Sequence, residues 1–290
     1  MTLDNQGNLY GFNTGTNTVT KWNAPLTASA TGTTFATATG FRRNIRMDTM
    51  GNLYLCGSSA NVLYKIDPTG VMTIVAGSGT AGYAGDGSAA TAASVQMTNV
   101  EDVAISARNG DLYIACGGFH VRRVDGTTKI ISTYAGNGGT AGTDRVAATS
   151  SGLFFPTGVA LDANDNLYIA DLYNYAIRFV NKVTGIITTI AGTLGGTGAQ
   201  GGTSSGDLGP ATSAQLSMAW GFTYDPAGML WITCGSPANT VRMVDLTTPG
   251  NIITTVATGM YPNLAPSPSF IVIEDDDNIM FSTFLCDRSE

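Results

Sequence analysis

The chain has 290 residues, 43% hydrophobic and 12% charged, with a formal net charge of −7 and a pI of about 4.6. This balance supplies ample apolar material for an extensive core, excludes a disordered chain, and opposes nucleic-acid or anionic-membrane binding through a basic face. No apolar run is long enough to span a bilayer. Met1 leads into a turn, so no signal peptide is expected in this chain. The scarcity of lysine beside threonine, glycine and alanine leans toward an extracellular or surface-associated protein.

Taken in chain order, alternating apolar residues and Gly/Asn/Asp turns predict short strands throughout. Strands are expected over 1–3, 9–12, 18–22 and 33–37, then over 45–47, 53–56, 62–66 and 71–76. A third group covers 103–105, 112–115, 120–124 and 129–135. The clearest group lies between Gly158 and Gly192, where Val159 and Leu161, Leu167 and Ile169, Ile177 and Phe179, and Ile187 and Ile190 each mark a strand. A fifth uses 221–224, 230–233, 240–244 and 252–257, and a sixth supplies only 270–273 and 279–284. Glycine-rich connections at 77–87, 136–142 and 192–209 separate the groups, and a short helical turn is expected over 211–215, capped by the Gly206-Asp207 pair.

The second strand carries a recurring signature: Asn-Leu-Tyr at 8–10 and 52–54, Asp-Leu-Tyr at 111–113, Asn-Leu-Tyr at 166–168, Met-Leu-Trp at 229–231 and Asn-Ile-Met at 278–280. One four-stranded sheet cannot bury both of its faces, so the copies must pack on one another. The spacing is too uneven for a strict solenoid but suits a propeller, which tolerates insertions between blades. The expected fold is therefore all-β: a single six-bladed propeller domain over 1–290, with blades at about 1–40, 41–98, 99–156, 157–219, 220–268 and 269–290, the last incomplete.

The run Ile186-Ile-Thr-Thr-Ile-Ala-Gly192, followed by Gly206-Asp-Leu-Gly-Pro-Ala-Thr and later Gly221-Phe-Thr-Tyr-Asp225, resembles the NHL-repeat β-propeller family. Residues 71–77 with Gly85-Asp-Gly-Ser-Ala-Ala-Thr91 make a second match. The resemblance implies the propeller fold but no single activity, because similar proteins include adhesion proteins, RNA-binding proteins and amidating lyases.

Propeller topology places two sets of equivalent positions near the channel mouth. Arg43, Glu101, Thr157, Trp220 and Ser269 come just before the inner strands, and Asn13, Gly57, Cys116, Asp171, Cys234 and Thr283 come after the second strands. The binding candidates are Arg43, Glu101, Thr157, Trp220, Ser269, Asn13 and Asp171, and Glu101 with Arg43 or Asp171 is the one acid-base pairing on offer. The aromatic residues Tyr83, Phe119, Tyr173 and Trp220 could stack on a sugar. His120 is the sole histidine, which excludes a multi-histidine zinc site, and too few carboxylates stand at the mouth for a calcium shell. Neither a metal nor a cofactor is expected. Arg122, Arg178 and Arg242 share one position of the third strand and are expected to do repeated structural work.

Cys56, Cys116 and Cys234 are expected as buried free thiols, and Cys286 near the end could pair with another chain. The short last blade is expected to leave an open edge carrying Ile279, Phe281 and Thr283, with Cys286 just beyond. These features together suggest a non-catalytic interaction or assembly scaffold, binding a protein partner or copies of itself. A carbohydrate-binding or adhesive module is the alternative, and a propeller hydrolase or lyase with an unlisted site is third. No nucleic acid and no membrane insertion are expected.

Overall fold

The computed structural model describes residues 1–13, 16–26, 31–37, 44–195, 204–225, 227–235, 238–258, 268–275 and 278–283, the last two stretches by backbone alone. The first repeat forms β1 (Thr2–Leu3), β2 (Leu9–Asn13), β3 (Thr18–Trp22) and β4 (Thr33–Thr37). The second forms β5 (Ile45–Met47), β6 (Leu53–Gly57), β7 (Val62–Ile66) and β8 (Met72–Ala76). The third forms β9 (Val100–Ile105), β10 (Leu112–Cys116), β11 (His120–Val124) and β12 (Ile131–Ala135). The fourth adds a short β13 (Val146–Ala147) before β14 (Pro156–Leu161), β15 (Leu167–Asp171), β16 (Ala176–Val180) and β17 (Ile186–Gly192). The fifth has β18 (Gly209–Pro210), then β19 (Ala219–Tyr224), β20 (Met229–Cys234), β21 (Thr240–Asp245) and β22 (Ile252–Ala257). A last pair, β23 (Pro268–Asp275) and β24 (Asn278–Thr283), follows.

In every repeat consecutive strands are antiparallel neighbours, so each main sheet is a four-stranded up-and-down blade of an all-β propeller. The expectation of six blades is corrected: among the described residues there are five blades of four main strands, while β23 and β24 make a sheet of two. Beyond residue 258 only these two segments among the described residues have the extended pairing a sheet needs. Contact density divides the chain into two compact units, Met1–Tyr134 and Ala135–Glu290. The first unit buries Leu63, Val95, Met97, Val103, Ile114 and Ile131 together, and the second buries Ile177, Leu216, Phe222, Ile232, Val244 and Ile253.

Three local devices repeat. The first closes the turn between inner and second strands. Asp48 Oδ1 accepts the amides of Met50 and Asn52 at 3.0 and 2.9 Å, and Oδ2 accepts the Asn52 side chain at 2.8 Å and the Tyr54 hydroxyl at 3.3 Å. Asp4 does the same for Asn8 and Tyr10, while Asp225 holds the Met229 amide and Trp231 Nε1, both at 2.8 Å. An acceptor-rich carboxylate thus fixes the hairpin and ties it to the second strand, which accounts for the Asn-Leu-Tyr signature.

The second device fixes the turn before each third strand. Asn17, Asn61, Phe119, Tyr175 and Asn239 stand there with φ of 54°, 53°, 72°, 53° and 45°. The outer strand ends against this turn: a Cβ on Gly77 would lie 2.5 Å from Asn61 O, and one on Gly192 would lie 2.1 Å from Tyr175 O. Only glycine allows that approach.

The third device ties each long insertion to the outer edge of the blade that follows it. Ala89 bridges to Ile130, β13 pairs with β17, and β18 pairs with β22. Within each blade the third-strand arginine, almost wholly buried, reaches an aspartate of the insertion: Arg122 to Asp86, Arg178 to Asp144 and Arg242 to Asp207. The aspartate in turn accepts the Thr133 amide at 2.9 Å, or the Thr189 or Thr255 hydroxyl at 3.0 Å, from the outer strand. The expected structural role of the three arginines is borne out. Asp207, read from sequence as a cap, is instead this arginine's partner, and the 3-10 turn Ala211–Ser213 has no side-chain cap.

Candidate functional site

The inner strands do not pair smoothly. In β9 Val100 faces Cys116 and Asp102 faces Ala115, so Glu101 is the extra residue of a bulge. The same register shift falls at Thr157 in β14, Trp220 in β19 and Ser269 in β23. Bulges re-aim side chains and recur beside active sites. The sequence placed these residues just before the inner strands; they lie inside them, because the strand continues through the bulge. The other set, expected just after the second strands, forms their last residues, from Asn13 in β2 to Thr283 in β24. Arg43 and Cys286 lie outside the described residues.

In the first unit, Glu101 is 1% exposed and its Oε1 accepts the Ser58 hydroxyl at 3.3 Å. Beside it in sequence, the fully buried Asp102 receives Arg46 through Nε at 3.0 Å and Nη2 at 2.7 Å, a bidentate fork. The Cys56 and Cys116 thiols share this region; burial pushes Cys56 well up and Cys116 up to about 12, so both are protonated and weakly nucleophilic at neutral pH. Cys56, Cys116 and Cys234 are free and buried, as expected. Cys116 faces His120 across the β10–β11 ladder. His120 Nδ1 donates to Gly118 O at 2.7 Å, and the Tyr83 ring stacks on the imidazole at 4.9 Å; burial lowers its pKa.

In the second unit, Thr157 is buried and donates to Ala219 O at 2.9 Å, while Trp220 is half-buried. Asp171 is fully buried, accepting from the Phe154 amide at 2.6 Å, Asn174 at 2.8 Å and Arg178 at 3.3 Å. Burial raises its pKa against those three donors. The carboxylate is thus engaged within its own blade. Asn13 is exposed at the end of β2, and its Oδ1 accepts the Thr16 amide at 3.2 Å. In the β23–β24 ladder the backbones of Ile279, Phe281 and Thr283 face Ile273, Ile271 and Pro268, and among the described residues β24 has no second neighbouring strand. No group of three or more His, Cys, Asp or Glu able to hold a metal occurs among the described residues.

Sequence reasoning missed Arg46, Asp102 and Ser58. A signal for Asp102 was present: where it faces Ala115, the equivalent strands of the next two blades carry Gly158 and Gly221. A charged residue where its counterparts are glycine marks a position that folding alone does not explain.

No protein-family model matches the chain, and no characterised protein matches it by sequence. Solved structures do. A gluconolactonase from Xanthomonas campestris superposes with a TM-score of 0.58 at 15% identity, covering 86% of this chain and 72% of that one. A streptogramin B lyase gives 0.59 at 12% identity, covering 97% and 74%. A nidogen/laminin complex gives 0.62 at 12% identity, covering 95% and 84%. These neighbours are β-propeller proteins, which places this chain in that class of fold; membership of the NHL-repeat family in particular does not follow. They also overturn the expectation of a non-catalytic scaffold, since the fold from which it was argued is one that gluconolactonases and streptogramin lyases share. The nidogen/laminin complex shows the fold working with a protein partner.

Proposed function

We propose that the chain is a hydrolase or lyase of the propeller class, with Glu101 as its proton-transferring group. The observation that carries this reading is the divergence at the inner-strand bulge: the same backbone feature presents Glu101, Thr157, Trp220 and Ser269, and Glu101 alone can take and return a proton at neutral pH. The fold shared with a gluconolactonase and a streptogramin B lyase supports it. In the hydrolytic form, the Glu101 carboxylate takes a proton from water as its oxygen attacks an ester or lactone carbonyl. The acyl C–O bond then breaks, and the proton passes to the departing oxygen. The Ser58 hydroxyl donating to Oε1 holds the carboxylate in place. Within its own unit, Asn13 is an exposed position, while in the other unit Trp220 is half-buried and Thr157 and Asp171 are buried. The repeat itself is read as NHL-type, on residues 71–77 and 186–192.

The test is a panel of lactones, gluconolactone first, followed by acid release in an indicator assay. Glu101→Gln should lower kcat by about 10²- to 10⁴-fold with the fold intact. A variant as active as the parent, on a substrate the parent turns over, removes Glu101 from the mechanism.

A further inference from the structure

The internal repeats act as controls for one another, and beside Glu101 two more positions depart from them. The residue just past the bulge is Asp102 in the third blade but Gly158 and Gly221 in the fourth and fifth. The inner-strand residue that faces the signature aromatic is Arg46 in the second blade, opposite Tyr54, but the uncharged Thr2, Ala104, Ala160 and Thr223 in the other four. These two exceptions meet: Arg46 grips Asp102 through Nε and Nη2, with the carboxylate fully buried and the guanidinium 22% exposed. Where glycine stands instead, a ring fills the space, since a Cβ on Gly158 would lie 3.2 Å from Phe222. A buried ion pair seldom adds stability over well-packed apolar groups, so folding by itself does not call for the fork.

Glu101 supplies the demand. As the extra residue of a bulge it has no residue of β10 opposite it, so the ladder does not fix its place. The neighbouring blade does. Glu101 and Asp102 are consecutive, and the second blade holds both side chains: Ser58, just past β6, donates to Glu101 Oε1, and Arg46 on β5 donates to Asp102. Asp102, Arg46 and Glu101 all act on the Cys56 thiol, which puts the three charges in one neighbourhood. Among the described residues the other titratable or charged groups acting there are Cys116 on β10, Arg122 on β11, and the Met1 amine, which Arg46 and Asp102 both reach.

We infer that Arg46 and Asp102 are positioning residues for Glu101: their fork clamps β9 to the second blade one residue past the bulge, holding the Glu101 carboxylate in one place with the charge next to it balanced. The inference rests on the role proposed for Glu101.

Glutamate occurs only at 101, 274 and 290, so carbon-13 NMR of protein labelled at glutamate Cδ reads the Glu101 carboxyl directly, its signal assigned with Glu101→Gln. Asp102→Asn leaves the Arg46 charge unbalanced and should lower the Glu101 titration midpoint by about one pH unit. Arg46→Gln leaves Asp102 unbalanced and should raise it by about as much. The double variant Arg46→Ala/Asp102→Gly installs residues that other blades carry at these positions. It should fold, keep the parent's midpoint, and lower kcat about tenfold at unchanged KM on any lactone the parent turns over. A fork that served folding alone would not move the two single-variant midpoints in opposite directions. Midpoints that stay put or move together, or a double variant that fails to fold or keeps the parent's kcat, would overturn the inference. A parent inactive on every lactone removes the hydrolase reading instead, and the two midpoints then decide the inference by themselves.

Discussion

At their outer edges the third, fourth and fifth blades are built alike; at the ends of their inner strands the same backbone carries different chemistry. Outside, the arginine, the insertion's aspartate and an outer-strand threonine recur as Arg122–Asp86–Thr133, Arg178–Asp144–Thr189 and Arg242–Asp207–Thr255. Inside, one bulge presents Glu101, then Thr157, then Trp220. A residue repeated on a repeated backbone answers a demand of folding. Where the backbone repeats and the side chain does not, folding has left the position open to chemistry. The fourth blade complicates this division, because Asp171 joins its outer latch from a position that Cys116 and Cys234 hold in the neighbouring repeats.

That exception supplies the stability test with the largest expected effect. Arg178→Ala strips a partner from the fully buried Asp171 and should cost about 3–5 kcal/mol in chemical denaturation. Arg242→Ala loses a charged bond to Asp207, which is 43% exposed and can rehydrate, and should cost only about 1.5–3 kcal/mol. Equal losses would mean that the latch works identically in both blades and that Asp171 contributes nothing of its own. Adding Asp171→Cys to Arg178→Ala, giving the fourth blade its neighbours' residue, should recover part of the difference.

The hairpin device offers a smaller effect. Asp48→Ala removes the acceptor of two amides, one side-chain amide and one hydroxyl, and should cost about 1–3 kcal/mol, with Asp48→Asn milder. A neutral result would reduce the Asn-Leu-Tyr signature to packing alone.

The smallest effect is electrostatic. Burial lowers the pKa of His120 below the ordinary 6.5, with Arg122 adding to the depression and the Gly118 carbonyl and Asp86 opposing it. Below 6.5 the unfolded chain therefore binds a proton before the folded one does. The contribution of the neutral imidazole is present above that pH and is lost progressively as pH falls through the folded value. His120→Gln should flatten this part of the stability-pH curve. An unchanged slope between wild type and variant would show that His120 titrates alike in both states.

Much of this protein was legible in order along the chain. Period-two alternation and turn residues located the strands to within a few residues, because both signals are local. The three buried thiols and the shared arginine position followed from the repeat for the same reason. The Arg46–Asp102 fork was not legible, since its partners lie on different blades and meet only through packing. Nor was the burial of Asp171 legible, or the return of each insertion to the outer edge of the blade that follows it, because both depend on how the connections fold back on the sheet. The bulges were missed because a bulge is a mismatch between two strands and leaves no mark on either one. Sequence alone therefore determined the repeat, its strands and the positions free to vary. Only tertiary structure decided which of those positions became buried supports and which remained open to a ligand, because burial and charge pairing depend on segments far apart in the chain.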